Sequence, residues 1–420
     1  MYKYLVMFVL ASPLIGIWLV EGGEPSLSVG IPGTPNGATV AFSTFMAITL
    51  LVAFGTSSGY FSLRRRTVEV AKGLPGEVEP TKAFMHFSCR FLVLNCVFLF
   101  TMLFVFGGIQ VWLGSIEKGL FRATLGPLGA LPYLMTKFAV PALFAYLTVL
   151  MLKTDQAPHV KWMWRLNAFI VFLAGATWGF KTTGLFMLLP GLLIMYWKLP
   201  VHKLLVFAAV FLGSLVMFFF VFDSQLMEDV EVLAFLFSRL TILQGDVSWY
   251  VWGLHQAGEP LPNYWPTLLA SVGDTVLSIF VTKTDLAEWM SYHYDWMLTN
   301  LSGSSLMAVA NGHSVTGTPF AEAVIAGGGW FGVVFFGIIA GLLIGGFYRG
   351  IANAIRAGRA MAAAMLSTYF CFHVFSWLNG GGITQLFHIS VGANLLVAYV
   401  LLRALSAPRR RRPARIIKLS

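Results

Sequence analysis

The sequence predicts an all-α, polytopic integral membrane protein with about ten transmembrane helices and one long outer loop. Hydrophobic residues make up 57% of the 420 positions and charged residues only 11%, and the mean hydropathy is +0.77. A soluble domain cannot bury that much apolar surface. Apolar stretches that approach the length of a membrane span recur along the chain, and the positive charges between them are unevenly distributed.

Ten stretches qualify as spans, because a helix needs about 20 mostly apolar residues to cross the hydrocarbon core. They cover 4–20, 38–62, 91–112, 131–152, 161–180, 183–198, 204–222, 318–347, 360–378 and 385–404. The first stretch has features of a signal peptide. Its leading segment has one lysine and no small-residue cleavage site follows, so we predict a retained span. Only Lys-Thr-Thr joins the fifth and sixth spans, which predicts a tight hairpin.

Positive charge sets the predicted orientation, because cytoplasmic loops carry an excess of Lys and Arg. Ten spans put both termini inside, and 21 of the 28 Lys and Arg residues then lie inside against five outside. The other two, Arg90 and Lys137, lie at or within the ends of spans. The same asymmetry accounts for the net charge of +10. That charge therefore gives no support to nucleic-acid binding.

These assignments divide the chain into four parts. Residues 1–222 hold seven spans with short loops, 223–317 form a long outer loop, 318–404 hold three more spans, and 405–420 form a basic cytoplasmic tail. Loops of that length are commonly functional or act as lids. Within it, EVLAFLFSRLTIL predicts an amphipathic helix on the membrane surface, and YWPTLLASVGDTVLSIFV predicts an interfacial or re-entrant segment.

The eighth span carries glycines at a regular spacing. Gly328 and Gly332, followed by Gly337, Gly341 and Gly345, recur every four residues within each group. Small residues at this spacing predict close packing against another helix. A tightly packed helix would hold the polar stretch NGHSVTGTP rigidly at its outer end.

Basic residues are few on the predicted outer face, so each one is informative. Lys181 lies in TWGFKTTGLF, where Thr182 and a helix start offer an anion site; interfacial snorkelling is the alternative. Arg239 in FLFSRLTILQGD has apolar neighbours, and its guanidinium suits phosphate oxygens; a solvated helix arginine is the alternative. Lys137 in PYLMTKFAVP fits either substrate binding or snorkelling.

Polar residues of the long outer loop are candidates for contacts with sugars or for acid–base chemistry. Gln244 and Asp246 follow the arginine of the long loop within two helical turns, and their side chains suit sugar hydroxyls. His313 and Thr316 lie in the polar stretch before the eighth span. A histidine titrates near neutral pH and suits a general base or a phosphate donor, whereas a loop histidine commonly has only a structural role.

Glu322 is placed by the sequence one turn inside the eighth span. A carboxylate at that depth is unfavourable unless it is paired or lines a wet cavity, so a functional role is one explanation. The alternative is helix capping, because Thr318 precedes Pro319 in the pattern of a helix start. Both roles are compatible.

The sequence predicts neither a metal nor a cofactor. The histidines are scattered and none has His-Glu-x-x-His spacing. Cys89, Cys96 and Cys371 are too isolated to indicate a disulfide framework. There is no Walker motif and no glycine-rich nucleotide loop, which argues against ATP-driven chemistry.

This arrangement resembles the Wzy-type O-antigen and capsule polymerases, which are GT-C-like integral membrane glycosyltransferases. Shared features are many spans, a tight outer hairpin with a basic residue and hydroxyls, and a long outer loop with an arginine. The closest similarity is GHSVTGTPFAE running into GGGWFG, within a resemblance over roughly residues 90–350. The family commonly has an arginine at the hairpin. Here Lys181 keeps the charge but lacks the bidentate fork.

The resemblance implies an enzyme that transfers a growing glycan from undecaprenyl pyrophosphate to the terminal sugar of a lipid-linked repeat unit. Arg239 and Lys181 would stabilise the departing pyrophosphate. His313 is the first choice and Glu322 the second for accepting the hydrogen bond of the attacking hydroxyl. Implied partners are lipid-linked repeat units, membrane lipids and a chain-length regulator protein. The implied location is the bacterial inner membrane, with cytoplasmic termini and a periplasmic active site.

Three alternatives stay open at this point. The O-antigen ligase family has a similar layout and a lipid A–core acceptor, but usually has His-Asn where this chain has His313-Ser314. A lipid-linked oligosaccharide flippase would require charges along an inner cavity, and a plain permease is the third. The chain contains no internal sequence repeat, which weighs against the common transporter architectures.

The orientation is testable with single cysteines. We expect Ser224→Cys and Ser302→Cys to react with a membrane-impermeant thiol reagent in intact cells, because both positions face outside. Ser406→Cys should react only after permeabilisation. Reaction of Ser406→Cys in intact cells would contradict the ten-span arrangement, since an even number of spans places the tail inside.

Overall fold

The computed structural model of the protein describes residues 1–59, 80–113, 135–153, 158–178, 183–200, 232–264 and 318–406, together with 116, 121, 202, 203, 206, 209 and 213. Within these residues the chain forms helices and no strand. Seven of these helical segments are long and apolar enough to cross a membrane. The all-α membrane class is confirmed. The count of about ten spans and the GT-C-like arrangement stay predictions.

Fourteen α-helices are described. They are α1 (Tyr2–Glu21), α2 (Ala38–Ser58), α3 (Pro80–Phe100), α4 (Gly108–Trp112), α5 (Val140–Lys153), α6 (Pro158–Trp178), α7 (Thr183–Met195), α8 (Val232–Leu240), α9 (Ile242–Gln256), α10 (Pro319–Gly327), α11 (Trp330–Arg356), α12 (Ala360–Tyr369), α13 (Phe375–Gly380) and α14 (Ile389–Ser406). Short π-helical turns at Thr101–Val105, Met135–Ala139 and Phe370–Val374 and a 3-10 turn at Ile383–Leu386 adjoin them.

Most predicted spans coincide with a described helix. The seven apolar segments are Tyr2–Glu21, Ala38–Ser58, Phe84–Val105, Met135–Leu152, Trp330–Arg356, Ala360–Gly380 and Ile383–Leu405. The predicted fifth and sixth spans correspond to α6 and α7, which are not among the seven, and α7 has only 13 residues. Most of the predicted seventh span, most of the long outer loop and nearly all of the basic tail lie outside the described residues.

Helix α11 packs closely along α2 through its glycines. A Cβ atom on Gly341 would lie 2.6 Å from the Val52 Cβ and 2.7 Å from the Thr49 carbonyl oxygen. The Thr49 hydroxyl donates to the carbonyl of Gly337, 3.2 Å away. Gly345 meets α2 in the same way. The predicted packing role of these three glycines is confirmed, because only a hydrogen side chain leaves room for the neighbouring backbone.

The prediction of one continuous helix over 318–347 is wrong. Helices α10 and α11 are separated by Gly328 and Gly329, whose φ angles are +66° and +84°. These left-handed conformations suit glycine, which has no Cβ to clash. A Cβ on Gly332 would overlap the Ala323 carbonyl, so α10 folds back along the start of α11. Gly328 therefore belongs to a hairpin turn, whereas Gly332 lies within α11 and packs closely against α10.

This hairpin buries the start of α10 within the bundle. Phe320 packs on Phe42 and Phe45 of α2, with ring centroids 5.3 and 6.1 Å apart. The carbonyl of Phe45 in turn approaches Gly337, seven residues along α11. Seven residues of helix correspond to about 10 Å. The first turn of α10 therefore lies about 10 Å along α11 from the hairpin turn. Protein surrounds it there.

Helix α9, from the segment predicted as an outer loop, packs against α1. A Cβ on Gly245 would overlap the Pro13 carbonyl, and one on Gly16 would overlap the Thr241 carbonyl. Pro13 and Gly16 lie in the second half of α1. The helix that precedes α9, α8, coincides with the predicted amphipathic helix. This part of the segment is thus joined to the membrane bundle.

The α2–α11 seam is testable with two alanine substitutions on one helix. Gly341→Ala should destabilise the protein by about 1–3 kcal/mol, since overpacking a tight contact has that effect. Gly346→Ala is the matched control, because a Cβ there meets no atom within 4 Å. Thermal unfolding in detergent should show a lower melting temperature only for Gly341→Ala. Equal melting temperatures would show that the seam is looser than described.

Candidate functional site

A cavity of about 530 Å³ with many polar side chains in its lining lies between the π-helical turns Met135–Ala139 and Phe370–Val374, α7, α13 and the start of α14. Its polar lining comprises Lys137, His373, Ser376, Asn379, Thr384, Gln385, His388, Ser390 and Asn394. Its apolar lining includes Phe138, Phe186, Met187, Phe372, Phe375 and Val391. So many hydrogen-bonding side chains beside membrane helices are unfavourable unless they meet water or a ligand. The cavity is therefore the candidate functional site.

Two π-helical turns carry two of the three basic side chains of the cavity. Lys137 lies in the turn Met135–Ala139 and His373 in the turn Phe370–Val374. The imidazole of His373 packs between two rings, with centroids 5.6 Å from Phe138 and 5.0 Å from Tyr369. π-helical turns are rare and occur frequently at functional sites.

His388 lies at the start of α14 and has a defined orientation. Its Nδ1 accepts a hydrogen bond from the Ser390 backbone N–H at 3.2 Å and lies 2.8 Å from the Ser390 hydroxyl. Because Nδ1 accepts, the neutral ring carries its proton on Nε2. His388 therefore offers an N–H donor on its other side while it caps the first turn of α14.

Two buried polar atoms of the lining lack a protein partner within the described part of the chain. They are Oδ1 of Asn394, a residue only 8% exposed, and Nε2 of His373. A buried polar atom without a partner is unfavourable by about 1–3 kcal/mol. Both lie in the lining of a cavity, where a ligand hydroxyl or water satisfies them.

Glu322 is buried behind one wall of this cavity and is 1% exposed. Its Oε2 accepts from the Trp377 indole N–H at 2.8 Å and the Gly382 backbone N–H at 3.0 Å. Its Oε1 accepts from the Ile383 backbone N–H at 2.7 Å and from the hydroxyl of Tyr264. Burial raises the pKa of Tyr264, so its hydroxyl stays protonated and donates. The carboxylate thus joins α10 to the cavity wall.

The predicted helix cap before Glu322 is confirmed. Thr318 is the N-cap of α10, its hydroxyl accepts from the Phe320 backbone N–H at 3.2 Å, and Pro319 takes the first helical position. The hydroxyls of Thr318 and Ser248 lie 2.7 Å apart, which ties the cap to α9. The Thr318 cap and the Glu322 carboxylate have different functions, because the side chain of Glu322 bonds to the cavity wall and not to the start of α10.

Asp246 lies in a separate polar junction between α9 and the loop after α1. It is fully buried. Its two oxygens accept from Ser26 Oγ at 3.1 Å, Ser28 N at 2.6 Å, Ser28 Oγ at 3.1 Å and Val247 N at 2.7 Å. Burial raises the pKa of Asp246, and the hydrogen bonds from Ser28 oppose that rise. The Asp246 carboxylate therefore holds the loop after α1 against α9.

The other predicted site residues fall into two groups. Gln244 is half-buried on α9, with its Oε1 unpartnered within the described residues, and Arg239 is exposed in the last turn of α8. The neighbouring Leu240 carbonyl accepts from Ser12 of α1, which places this region beside α1. Four predicted residues lie outside the described part of the chain. They are Lys181, Thr182, His313 and Thr316.

The structure thus brings one predicted residue, Lys137, into the cavity and adds several that sequence reasoning missed. His373, Asn379, Gln385, His388 and Asn394 belong to one stretch, which begins FCFHVFSWLNGGGITQLFHIS. Asn379 and a glycine triplet between the predicted ninth and tenth spans, with four more polar side chains inside those spans, were a usable signal. Histidine spacing alone does not reveal this pattern, because three of the five side chains are amides.

Comparison of the chain with protein-family models, with curated proteins and with solved structures finds no match. Within the part of the chain that the structure describes, no group of three or more His, Cys, Asp and Glu side chains is placed to hold a metal ion.

The Asp246 junction generates a stability prediction. Asp246→Asn should lower the free energy of unfolding by about 1–3 kcal/mol, because either orientation of the amide directs its NH₂ at a backbone N–H. Glu259→Gln, at an exposed carboxylate just after α9, is the control. Thermal unfolding in detergent should separate the two variants. Equal melting temperatures would mean that the junction does not depend on the carboxylate.

Proposed function

We propose that the protein is a lipid-linked glycan glycosyltransferase of the bacterial inner membrane. It joins undecaprenyl-pyrophosphate-linked repeat units into O-antigen or a related surface polysaccharide on the periplasmic face. The observation that carries this proposal is the cavity amid apolar helices whose lining includes one lysine and three side-chain amides. The resemblance of the sequence to Wzy-type polymerases adds support.

The lining of the cavity suits a glycan attached to a phosphate. Its volume of about 530 Å³ falls in the range of small-ligand sites, about 300–1,000 Å³. The amides of Asn379, Gln385 and Asn394 match sugar hydroxyls, which both donate and accept. The ammonium of Lys137 matches a phosphate as a point charge. The apolar part of the lining suits a prenyl chain.

The proposed reaction forms one glycosidic bond and breaks one bond to pyrophosphate. A hydroxyl of the incoming repeat unit attacks the anomeric carbon of the glycan held on undecaprenyl pyrophosphate. The C–O bond to pyrophosphate breaks, and the hydroxyl proton passes to a base, for which His313 is the first candidate. Lys137 stabilises the negative charge that develops on the leaving group. Arg239, Lys181, Thr182 and Thr316 are further proposed contacts to pyrophosphate or glycan.

The alternatives differ from this proposal in product. A ligase would attach glycan to lipid A–core, and a flippase or permease would move its substrate without forming a bond. Purified protein in proteoliposomes with one lipid-linked repeat unit as the only substrate distinguishes them. The proposal requires products of two, three and more units in that assay.

Lys137 provides the sharpest test of this function. Lys137→Met should lower the rate of polymerisation by about 10²–10³-fold, the usual effect of removing a group that stabilises developing negative charge. Lys161→Met, at an exposed lysine on α6, is the matched control. Lys137→Arg should retain part of the activity, since the charge is kept. Polymer length and amount are read from a gel.

Normal polymer from folded Lys137→Met would remove the cavity lysine from the mechanism. A wild-type protein that moves the repeat unit across the bilayer without joining units would refute the polymerase and favour a transporter.

A further inference from the structure

We propose that Glu322 is a positioning residue that holds the cavity wall Ser376–Gln385 from behind, in the shape that binds the glycan. The identity of the ligand in this inference rests on the proposed function. The shape of the wall is a property of the protein alone and is measurable without any substrate.

Three of the four hydrogen bonds that described residues donate to Glu322 come from this wall. They are donated by Trp377, Gly382 and Ile383. Trp377 directly follows Ser376, and Ile383 directly precedes Thr384, and both of those neighbours line the cavity. The residues that donate to the carboxylate are therefore the immediate chain neighbours of lining residues. A substitution at Glu322 would shift the lining residues through these neighbours.

The wall contains a turn that depends on the carboxylate. Gly381 and Gly382 have φ angles of +72° and +79°, which glycine adopts readily. The backbone N–H groups of Gly382 and Ile383 both point to Glu322, an arrangement in which successive N–H groups form an anion-binding nest. Without the carboxylate these buried donors would lack a partner, and the turn would reorganise to satisfy them.

The rest of the wall is fixed by this turn. The Ser376 hydroxyl donates to Gln385 Oε1 at 2.9 Å, and Gln385 Nε2 donates to the Gly381 carbonyl at 3.1 Å. These bonds connect the two ends of the wall across the turn. Holding the turn in place therefore also places the amide of Gln385 in the cavity.

The fourth bond extends the network toward the long outer segment. Tyr264, the last described residue before 265–317, donates to the same carboxylate. Residues His313 and Thr316, which the sequence predicts as site residues, belong to that segment. Glu322 thus links the cavity wall to the chain that leads into the segment.

An isosteric amide cannot replace this carboxylate. From the described residues, each oxygen of Glu322 accepts two hydrogen bonds, one of them from a backbone N–H. A glutamine has one accepting oxygen and one donating NH₂ group, so two of the four donors would face another donor in either orientation. Glu322→Gln therefore perturbs the wall with no change in side-chain volume.

The test measures access to the wall by thiol labelling. Thr384→Cys is introduced in a background where Cys89, Cys96 and Cys371 are replaced by alanine, and its reaction rate with a water-soluble maleimide is followed in detergent. Glu322→Gln and Tyr264→Phe are then added in turn. Tyr2→Phe is the control, because the buried Tyr2 hydroxyl donates to the Ile344 carbonyl of α11 at 2.7 Å and not to Glu322.

We expect Glu322→Gln to change the labelling rate by roughly tenfold, the factor that corresponds to about 1.4 kcal/mol. Tyr264→Phe should produce a smaller change in the same direction, since the wall keeps its three bonds. Tyr2→Phe should leave the rate unchanged. Where the wild type polymerises repeat units, Glu322→Gln should mainly raise KM, as loss of a well-shaped binding wall requires.

Identical labelling rates in Glu322→Gln and Tyr2→Phe would overturn the proposal. Should Glu322→Gln fail to fold, Tyr264→Phe decides in its place: a rate equal to that of Tyr2→Phe overturns the proposal, and a changed rate supports it. The labelling requires no turnover. A wild-type protein without polymerase activity would refute the proposed function and leave the role of Glu322 in the wall still measurable.

Discussion

The carboxylate of Glu322 joins three parts of the chain inside an apolar bundle, and the turn between α13 and α14 depends on how its charge is satisfied. A buried charge is strongly unfavourable unless hydrogen bonds replace those of water. Here the replacements come from a tyrosine, a tryptophan and two backbone N–H groups. The low dielectric strengthens these bonds once they are complete. A single residue thereby fixes a turn that neither neighbouring helix determines.

Backbone hydrogen bonding in the membrane explains why such a residue is needed. Non-helical backbone at membrane depth is tolerated only where protein or a wet cavity satisfies its polar groups. The chain leaves helical geometry between α13 and α14, beside the cavity, and between α10 and α11, at a glycine hairpin. Glu322 supplies acceptors at the first break. At the second, the Gly328 and Gly329 N–H groups both donate to the Val324 carbonyl, so the hairpin closes by itself.

Sequence reasoning predicted those features that depend on local pattern. Apolar length was sufficient to locate α1 and α2, and the Thr318–Pro319 start of α10 followed from capping chemistry. The hairpin was missed because glycines spaced for packing and glycines that form a turn look alike until their φ angles are known. The role of Glu322 was not predictable, because its partners lie 55 to 61 positions away in the chain. The cavity likewise assembles residues from distant helices.

We propose that the cavity binds a lipid-linked glycan through Lys137 and the wall that Glu322 holds. A cryo-electron-microscopy structure of the protein in a lipid nanodisc with one lipid-linked repeat unit bound measures this most directly. We expect phosphate density beside Lys137 and sugar density against Asn379, Gln385 and Asn394, with the four bonds to Glu322 intact. Density for the repeat unit elsewhere in the bundle, with only phospholipid or water in the cavity, would contradict it.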